Sequence, residues 1–421
     1  MSESTPVPSP DLLPAPPHHR PVGLALFTEM TGEDEQFVLD FWRTLRRVEA
    51  LAAGAPVDRP VACAHAGPLA GAHTDAELAA ALLAMAAWAE ERGYLRASAA
   101  CAELAATLAE DDPHPSILAG RLGRRLADYD RAEAWYVRGA ALARSARAWE
   151  QYVQALLWHG FLHFQKGEHA LAERRYRSAG RAATRYGRRA LAGVAHHNLL
   201  TIASDLGRFE AGARHAARAL ALYPVHYPRV PHLVHDYGFL LARNGYFSAA
   251  LPLFEAVYPH IPAPHERIVV AGNIARAAGG ARVPRRFQEA ADEVCALAGA
   301  AEENASRGLL GLAEGAHSLG YLPRAVLFAE RAAEVALRRG DHEVVKLAAA
   351  VAERARAGAG APADRGRLAA HVGIARECID RLRRWAGRPR GQAVNMLRRH
   401  LPRQPAPAET AASTGWRRPA L

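Results

Sequence analysis

The stretch GFLHFQKGEHALAERRYRSA, residues Gly160–Ala179, decides how this chain folds. Phe161, Leu162 and Phe164 lead into a polar turn around Gly167, after which Ala172, Tyr176 and Ala179 open a second apolar pattern. Gly160 stands seven residues before the turn, and the other three stand five, nine and twelve residues after it. A glycine and two alanines let helix backbones approach closely, and an aromatic ring fills the space that remains between them. The stretch therefore reads as two helices folded back on each other across Gly167.

The same offsets return along the chain. Turns centred on a small residue recur at Gly93, Ala127, Gly167, Gly207, Gly245, Gly279 and Gly320, spaced by 34, 40, 40, 38, 34 and 41 residues. Gly120, Gly238 and Gly272 precede their turns as Gly160 does. Tyr129, Phe209 and Phe247 follow by two residues, Ala132, Ala250 and Ala325 by five, Tyr136 and Phe254 by nine, and Ala219 and Ala332 by twelve. Pro224 and Pro259 close two of the units. The unit at Gly279 fits least well, because Pro284 occupies the place of a small residue. A recurring period of this size signals stacked helix pairs.

On these residues the units resemble tetratricopeptide repeats, and their length is similar to the long-repeat branch found in bacterial regulators, peptide-sensing ones among them. The family's tryptophan is missing. The resemblance implies an all-α protein: a right-handed superhelical solenoid of helix-turn-helix repeats, six or seven in number, with a helical cap at each end. It also implies a groove that binds a peptide or protein segment, or alternatively a regulator whose solenoid responds to a small peptide or metabolite. The first 72 residues are too short and too rich in Pro and Gly for the DNA-binding or ATPase domain that such regulators often carry.

Composition agrees with a helical reading. Of 421 residues, 50% are hydrophobic but only 7% aromatic, so the apolar content is mostly Ala and Leu, both good helix formers. Charged residues make up 23% and the mean hydropathy is −0.14, which argues for a folded, cytoplasmic protein with no membrane association. Cys63, Cys101, Cys295 and Cys378 are far apart, with no metal-knuckle or redox spacing. The net charge of +10 is carried by arginine, with Lys166 and Lys346 the only lysines.

Five regions follow. Residues 1–22 read as a disordered Pro-rich arm, and 23–73 as an N-terminal helix (about Glu33 to Leu51, with Phe37, Phe41, Leu45 and Val48 on one face) and a linker. Residues 74–357 hold the repeats. Residues 358–386 form a capping helix, with Asp364 as its N-cap and Leu368, Val372, Ala375, Ile379, Leu382 and Trp385 as an apolar stripe that covers the open end of the solenoid. Residues 387–421 are a flexible tail with seven arginines and one acid, suited at most to weak, non-specific polyanion binding.

No nucleotide-binding loop, zinc-protease helix or nucleophile elbow is present, so no enzyme and no cofactor are expected. His159 and His163 have the i, i+4 spacing of helical metal pairs, but no Asp, Glu or Cys on their helix supplies a third ligand, and they read as packing residues with no metal. His371 and Cys378 are two turns apart, too far for a nucleophile and its base. The groove is the more informative place. Residues ten, six and three before each turn should face it, which selects Arg121, Arg124, Phe161, Phe164, His197, Thr201, Ser204, His235, Phe239, Asn273, Arg276 and His317. Phe161, Phe164 and Phe239 would receive apolar side chains, while arginine and Asn273 would fix the direction of the bound chain.

Overall fold

In the computed structural model, the structure describes residues 35–52, 74–299, 304–361 and 369–386, with residues 17, 29, 30, 33, 301 and 364–366. Every regular element among them is helical. The Pro-rich arm apart from residue 17, most of the linker and the basic tail lie outside the described residues. No helix among the described residues is long and apolar enough to cross a membrane.

The chain divides into two compact units, one ending at Ala195 and the other beginning at His196. The first contains α1 (Glu35–Ala52), α2 (Asp75–Glu91), α3 (Leu95–Leu108), α4 (Pro113–Arg125), α5 (Tyr129–Ser145), α6 (Trp149–Gln165) and α7 (His169–Arg185). The boundary falls within α8 (Arg189–Asp205). The second continues through α9 (Phe209–Leu222), α10 (Val230–Arg243), α11 (Phe247–Val257), α12 (Pro264–Gly280), α13 (Pro284–Leu297), α14 (Ala305–Leu319), α15 (Leu322–Arg338), α16 (His342–Arg356) and α17 (Ala369–Ala386).

A regular punctuation makes these helices. Residues 127, 147, 167, 187 and 207 all have positive φ, so a left-handed residue recurs every 20 positions and the repeat is two equal halves of 20. After each, the next amide reaches back five residues: Asp128 to Gly123, Ala148 to Ala143, Glu168 to His163, Arg188 to Ala183 and Arg208 to Ala203. This is the Schellman closure, which satisfies carbonyls that a helix end leaves open. It is used between repeats as well as within them. Three left-handed residues, Ala127, Arg147 and Arg282, are not glycine.

Within a pair, glycine and aromatic meet as the sequence predicts. A Cβ on Gly120 would lie 2.7 Å from the Tyr136 ring, one on Gly160 2.6 Å from Tyr176, and one on Gly238 3.0 Å from Phe254. The poor unit at Gly279 has a physical explanation. Gly279 lies inside α12, and the turn is at Arg282, with φ of 59°. Pro284 is then the first residue of α13, where its missing N–H costs nothing. Gly279 is used instead for a backbone contact between α12 and α14: its Cβ would come 2.3 Å from the Gly315 carbonyl oxygen.

At the N-terminal side, Val38, Phe41, Leu45 and Val48 of α1 are buried in one core with α2 and α3, with Phe41 beside Trp88. A capping box starts α2: the Thr74 hydroxyl accepts from the Glu77 amide at 3.2 Å, and the Thr74 amide donates to the Glu77 carboxylate at 3.0 Å.

The last helix departs from expectation. Ala375, Cys378 and Leu382 are buried, but α17 packs on α9, α10 and α11 rather than on α16. Arg381 donates to the Tyr223 carbonyl oxygen at 2.9 Å. Asp364 is not its N-cap. It caps α11 instead, accepting from the Phe247 amide at 3.0 Å and from the Ser248 amide and hydroxyl. Tyr246, the residue that precedes α11, has no side-chain oxygen placed to do this, so the cap comes from far along the chain. Replacing Asp364 by alanine should cost about 1–2 kcal/mol, as other lost N-caps do. Amide exchange at Phe247 and Ser248 should quicken; unchanged protection there would show that the contact contributes nothing.

Candidate functional site

In the first unit, α4 and α6 bring a group of cations and rings together. Phe161 and Phe164 are half-buried, with ring centroids 6.2 Å apart. The Arg124 guanidinium sits 4.6 Å above the Phe161 ring and 5.6 Å from that of Trp158, and it donates to Gln165 at 2.6 Å. Arg121 is already engaged: both of its terminal nitrogens donate to the Glu90 carboxylate at 2.6 Å, and Arg125 joins the same acid. A carboxylate from a partner would have to displace Glu90 from Arg121.

In the second unit, His197, His235 and Asn273 join Asp236 and Tyr223 in a connected chain of hydrogen bonds. Asp236 Oδ2 is 2.9 Å from His197 Nε2, and its Oδ1 is 3.0 Å from His235 Nδ1. His197 Nδ1 lies 3.0 Å from the Tyr223 hydroxyl, and His235 Nε2 lies 3.0 Å from Asn273 Nδ2. One proton assignment satisfies all four contacts. Each imidazole donates to the carboxylate through one nitrogen; the other nitrogen accepts, from Tyr223 for His197 and from Asn273 for His235. Burial lowers the pKa of His197, against the opposing pull of Asp236. Burial opposes ionisation of Asp236, but hydrogen bonds from His197 and His235 outweigh it and hold the carboxyl below its usual range. The group therefore centres on an ionised carboxylate beside the neutral imidazole of His197.

Other predicted residues are placed around this chain. The Thr201 hydroxyl donates to the His197 carbonyl oxygen at 3.4 Å. Phe239 lies 5.9 Å from the guanidinium of Arg243 and 5.9 Å from that of Arg276, and Arg276 pairs with Glu314 at 3.1 Å. Ser204 is buried, and His317 is turned to the Ala359 carbonyl oxygen at 2.9 Å. His197 is 1% exposed and Asn273 8%, so a ligand meets Asp236 and His235 before either.

Several residues at this site escape the offset rule. Asp236 adjoins His235 but stands at no groove offset, and Tyr223 ends a second helix rather than a first. Glu314 does not escape it: six residues before Gly320, it stands at a groove offset. Glu133 has no such signal. It reaches across from α5 to His159 on α6, with Oε1 3.0 Å from Nε2. His163, one turn on, places Nε2 3.8 Å from the same oxygen and Nδ1 2.6 Å from Glu168. Burial depresses His159 to about 4, with Glu133 opposing the shift and Arg175 adding to it.

No family model matches the sequence, and no curated protein matches it. Among solved structures, the chain is similar to the apo form of RapI, at 11% identity and a TM-score of 0.45 over 66% of this chain and 98% of that one. It is similar to a Rap protein complexed with competence and sporulation factor, at 12% identity and a TM-score of 0.47 over 76% and 91%. A third is the C-terminal part of a TPR repeat-containing protein from Cytophaga hutchinsonii, at 14% identity and a TM-score of 0.38 over 62% and 97%. The helix pairs, with their glycine–aromatic contacts and regular closures, decide the fold. The chain has a tetratricopeptide-like fold of stacked helix pairs. Its repeats present Phe161, Phe164 and Phe239 on first helices, where the sequence reading places them.

Proposed function

We propose that this protein is an interaction module that binds a peptide or protein segment, and that Phe161 and Phe164 receive an apolar side chain of that segment. The aromatic pair of α6 carries the reading. Two half-buried rings lie one helical turn apart, and the Phe161 ring sits under the Arg124 guanidinium. Aromatic and arginine side chains are enriched among the residues that dominate binding at protein interfaces.

The cations have a different part from the one the sequence suggests. Arg121 is neutralised by Glu90 and Arg276 by Glu314, so apolar anchoring rather than a carboxylate clamp dominates recognition in this reading. Around Asp236 the preferred ligand group is a donor, such as a backbone amide or an ammonium, since the carboxylate is the charged member of that chain.

Peptide-display selection on the immobilised full chain tests the proposal. The selected peptides are expected to share an apolar anchor residue. The double variant Phe161→Ala, Phe164→Ala, with wild-type circular dichroism, should bind them at least tenfold more weakly, equivalent to about 1.4 kcal/mol. Equal binding to the variant, or a selection that enriches no peptide, would overturn the proposal.

A further inference from the structure

The structure assigns a second site: Glu133, His159 and His163 form a binding site for a divalent first-row transition ion, zinc foremost. The argument starts from α6. His159 and His163 are one turn apart, both side chains are buried, and their rings stack at 4.8 Å between centroids. The backbone thus holds two imidazoles on one face of a rigid helix, and Glu133 of α5 closes the third side. One ligand atom from each of the three residues lies within 4.8 Å of the others.

Those separations suit the ion. Zinc bonds of about 2.0–2.1 Å in tetrahedral geometry require ligand atoms roughly 3.3 Å apart. The Glu133 oxygen is 3.0 Å from His159 Nε2 and 3.8 Å from His163 Nε2, so small side-chain shifts close the set. Two imidazoles and one carboxylate are a ligand set used for zinc with a fourth position left open. Glu133 is 35% exposed on its side chain, so that position faces water and can exchange.

The surroundings add an independent feature. Glu168 takes the Nδ1 side of His163 at 2.6 Å, and Lys166 holds Glu168 from the other side at 3.2 Å. A carboxylate on the far nitrogen fixes the tautomer of a ligating histidine and aims its free lone pair at the ion. His163 therefore has Nε2 directed to the site and Nδ1 engaged, the arrangement a metal ligand needs. With the ion bound, α5 and α6 would be joined by coordination as well as by packing. Glu168 is a positioning residue in this scheme.

Titration of metal-free full-length protein with zinc against a chromophoric chelator, in parallel with cobalt absorption, tests the site. Wild type is expected to hold one equivalent of zinc that His163→Gln lacks, and to show the visible bands of tetrahedral cobalt. His159→Gln should weaken zinc binding at least 100-fold, and Glu168→Gln by 10- to 100-fold while leaving one equivalent bound. Zinc should raise the melting temperature of wild type but not that of His163→Gln. The site is disproved if wild type and His163→Gln, both with wild-type circular dichroism, bind zinc with the same stoichiometry and affinity. It is equally disproved if wild type takes up no zinc, or if cobalt gives only the weak octahedral spectrum.

Discussion

Replacing Gly311 by valine should destabilise the second unit by about 3 kcal/mol or more, at the upper end of what overpacking a core costs. Helices α12 and α14 meet through backbone rather than side chains. A Cβ on Gly311 would lie 2.3 Å from the Gly272 carbonyl oxygen, and one on Gly315 2.4 Å from that of Ala275. Gly272 and Gly279 face α14 in the same way, with separations of 2.7 and 2.3 Å. A rotamer change relieves none of these, because the obstructing atoms belong to the main chain. The helices would have to part, and the surrounding core would lose contacts along their length. Gly299→Ala is the matched control, since a Cβ there meets nothing within 4 Å. Urea unfolding followed by circular dichroism should separate the two variants clearly. If Gly311→Val lies within 1 kcal/mol of the control, the close approach of α12 and α14 is wrong.

Acidification is the second large effect. Burial lowers the pKa of His159, His196, His197 and His260 in the folded protein. The unfolded chain then takes up protons first as the pH falls below about 6.5, so stability present above that pH is lost on the way down. His159, depressed to about 4, alone accounts for about 3 kcal/mol across the window from 6.5 to below 4. Asp236 acts in the same sense at lower pH, since its carboxyl is held below the usual range and must be protonated before it is released. The groups facing His197 are Asp236, Tyr223, Arg229 and His232, and burial outweighs their sum. The melting temperature in EDTA should fall steadily from pH 7 to pH 4. His159→Phe should flatten the upper part of that decline. A melting temperature that is level or rises over this range would contradict the burial of these imidazoles in neutral form.

The helix pairs were legible because glycine and aromatic residues sit at fixed distances within one chain segment, and Gly120–Tyr136, Gly160–Tyr176 and Gly238–Phe254 all meet. Gly279 misleads for a physical reason: a glycine that permits a turn and a glycine that permits helix contact look alike in a sequence. Arg282 takes the left-handed turn without being glycine, so the true closure carries no compositional mark. The rings and cations of α4, α6, α10 and α12 follow from helical periodicity. Their acidic partners do not, because Glu90, Glu133 and Asp236 reach them across helix interfaces whose spacing no local pattern encodes. The docking of α17 on α9–α11 is hidden for the same reason, since an apolar stripe specifies that a helix is covered and not by what.

The cap that Asp364 places on α11 sets an order of events during synthesis. Phe247 and the carboxylate that accepts its amide are 117 residues apart. At about 5–20 residues per second, roughly 6–23 s separate the making of the helix start from the making of its cap. Through that interval α9, α10 and α11 stand with the surface that α17 will cover still open to water, and α11 begins with its first amides unsatisfied. The middle of this unit is thus finished by the end of the chain. A ribosome that stops shortly before residue 364 would release a protein with nearly all its repeats present and an apolar seam exposed at their centre, a ready target for chaperones and proteases.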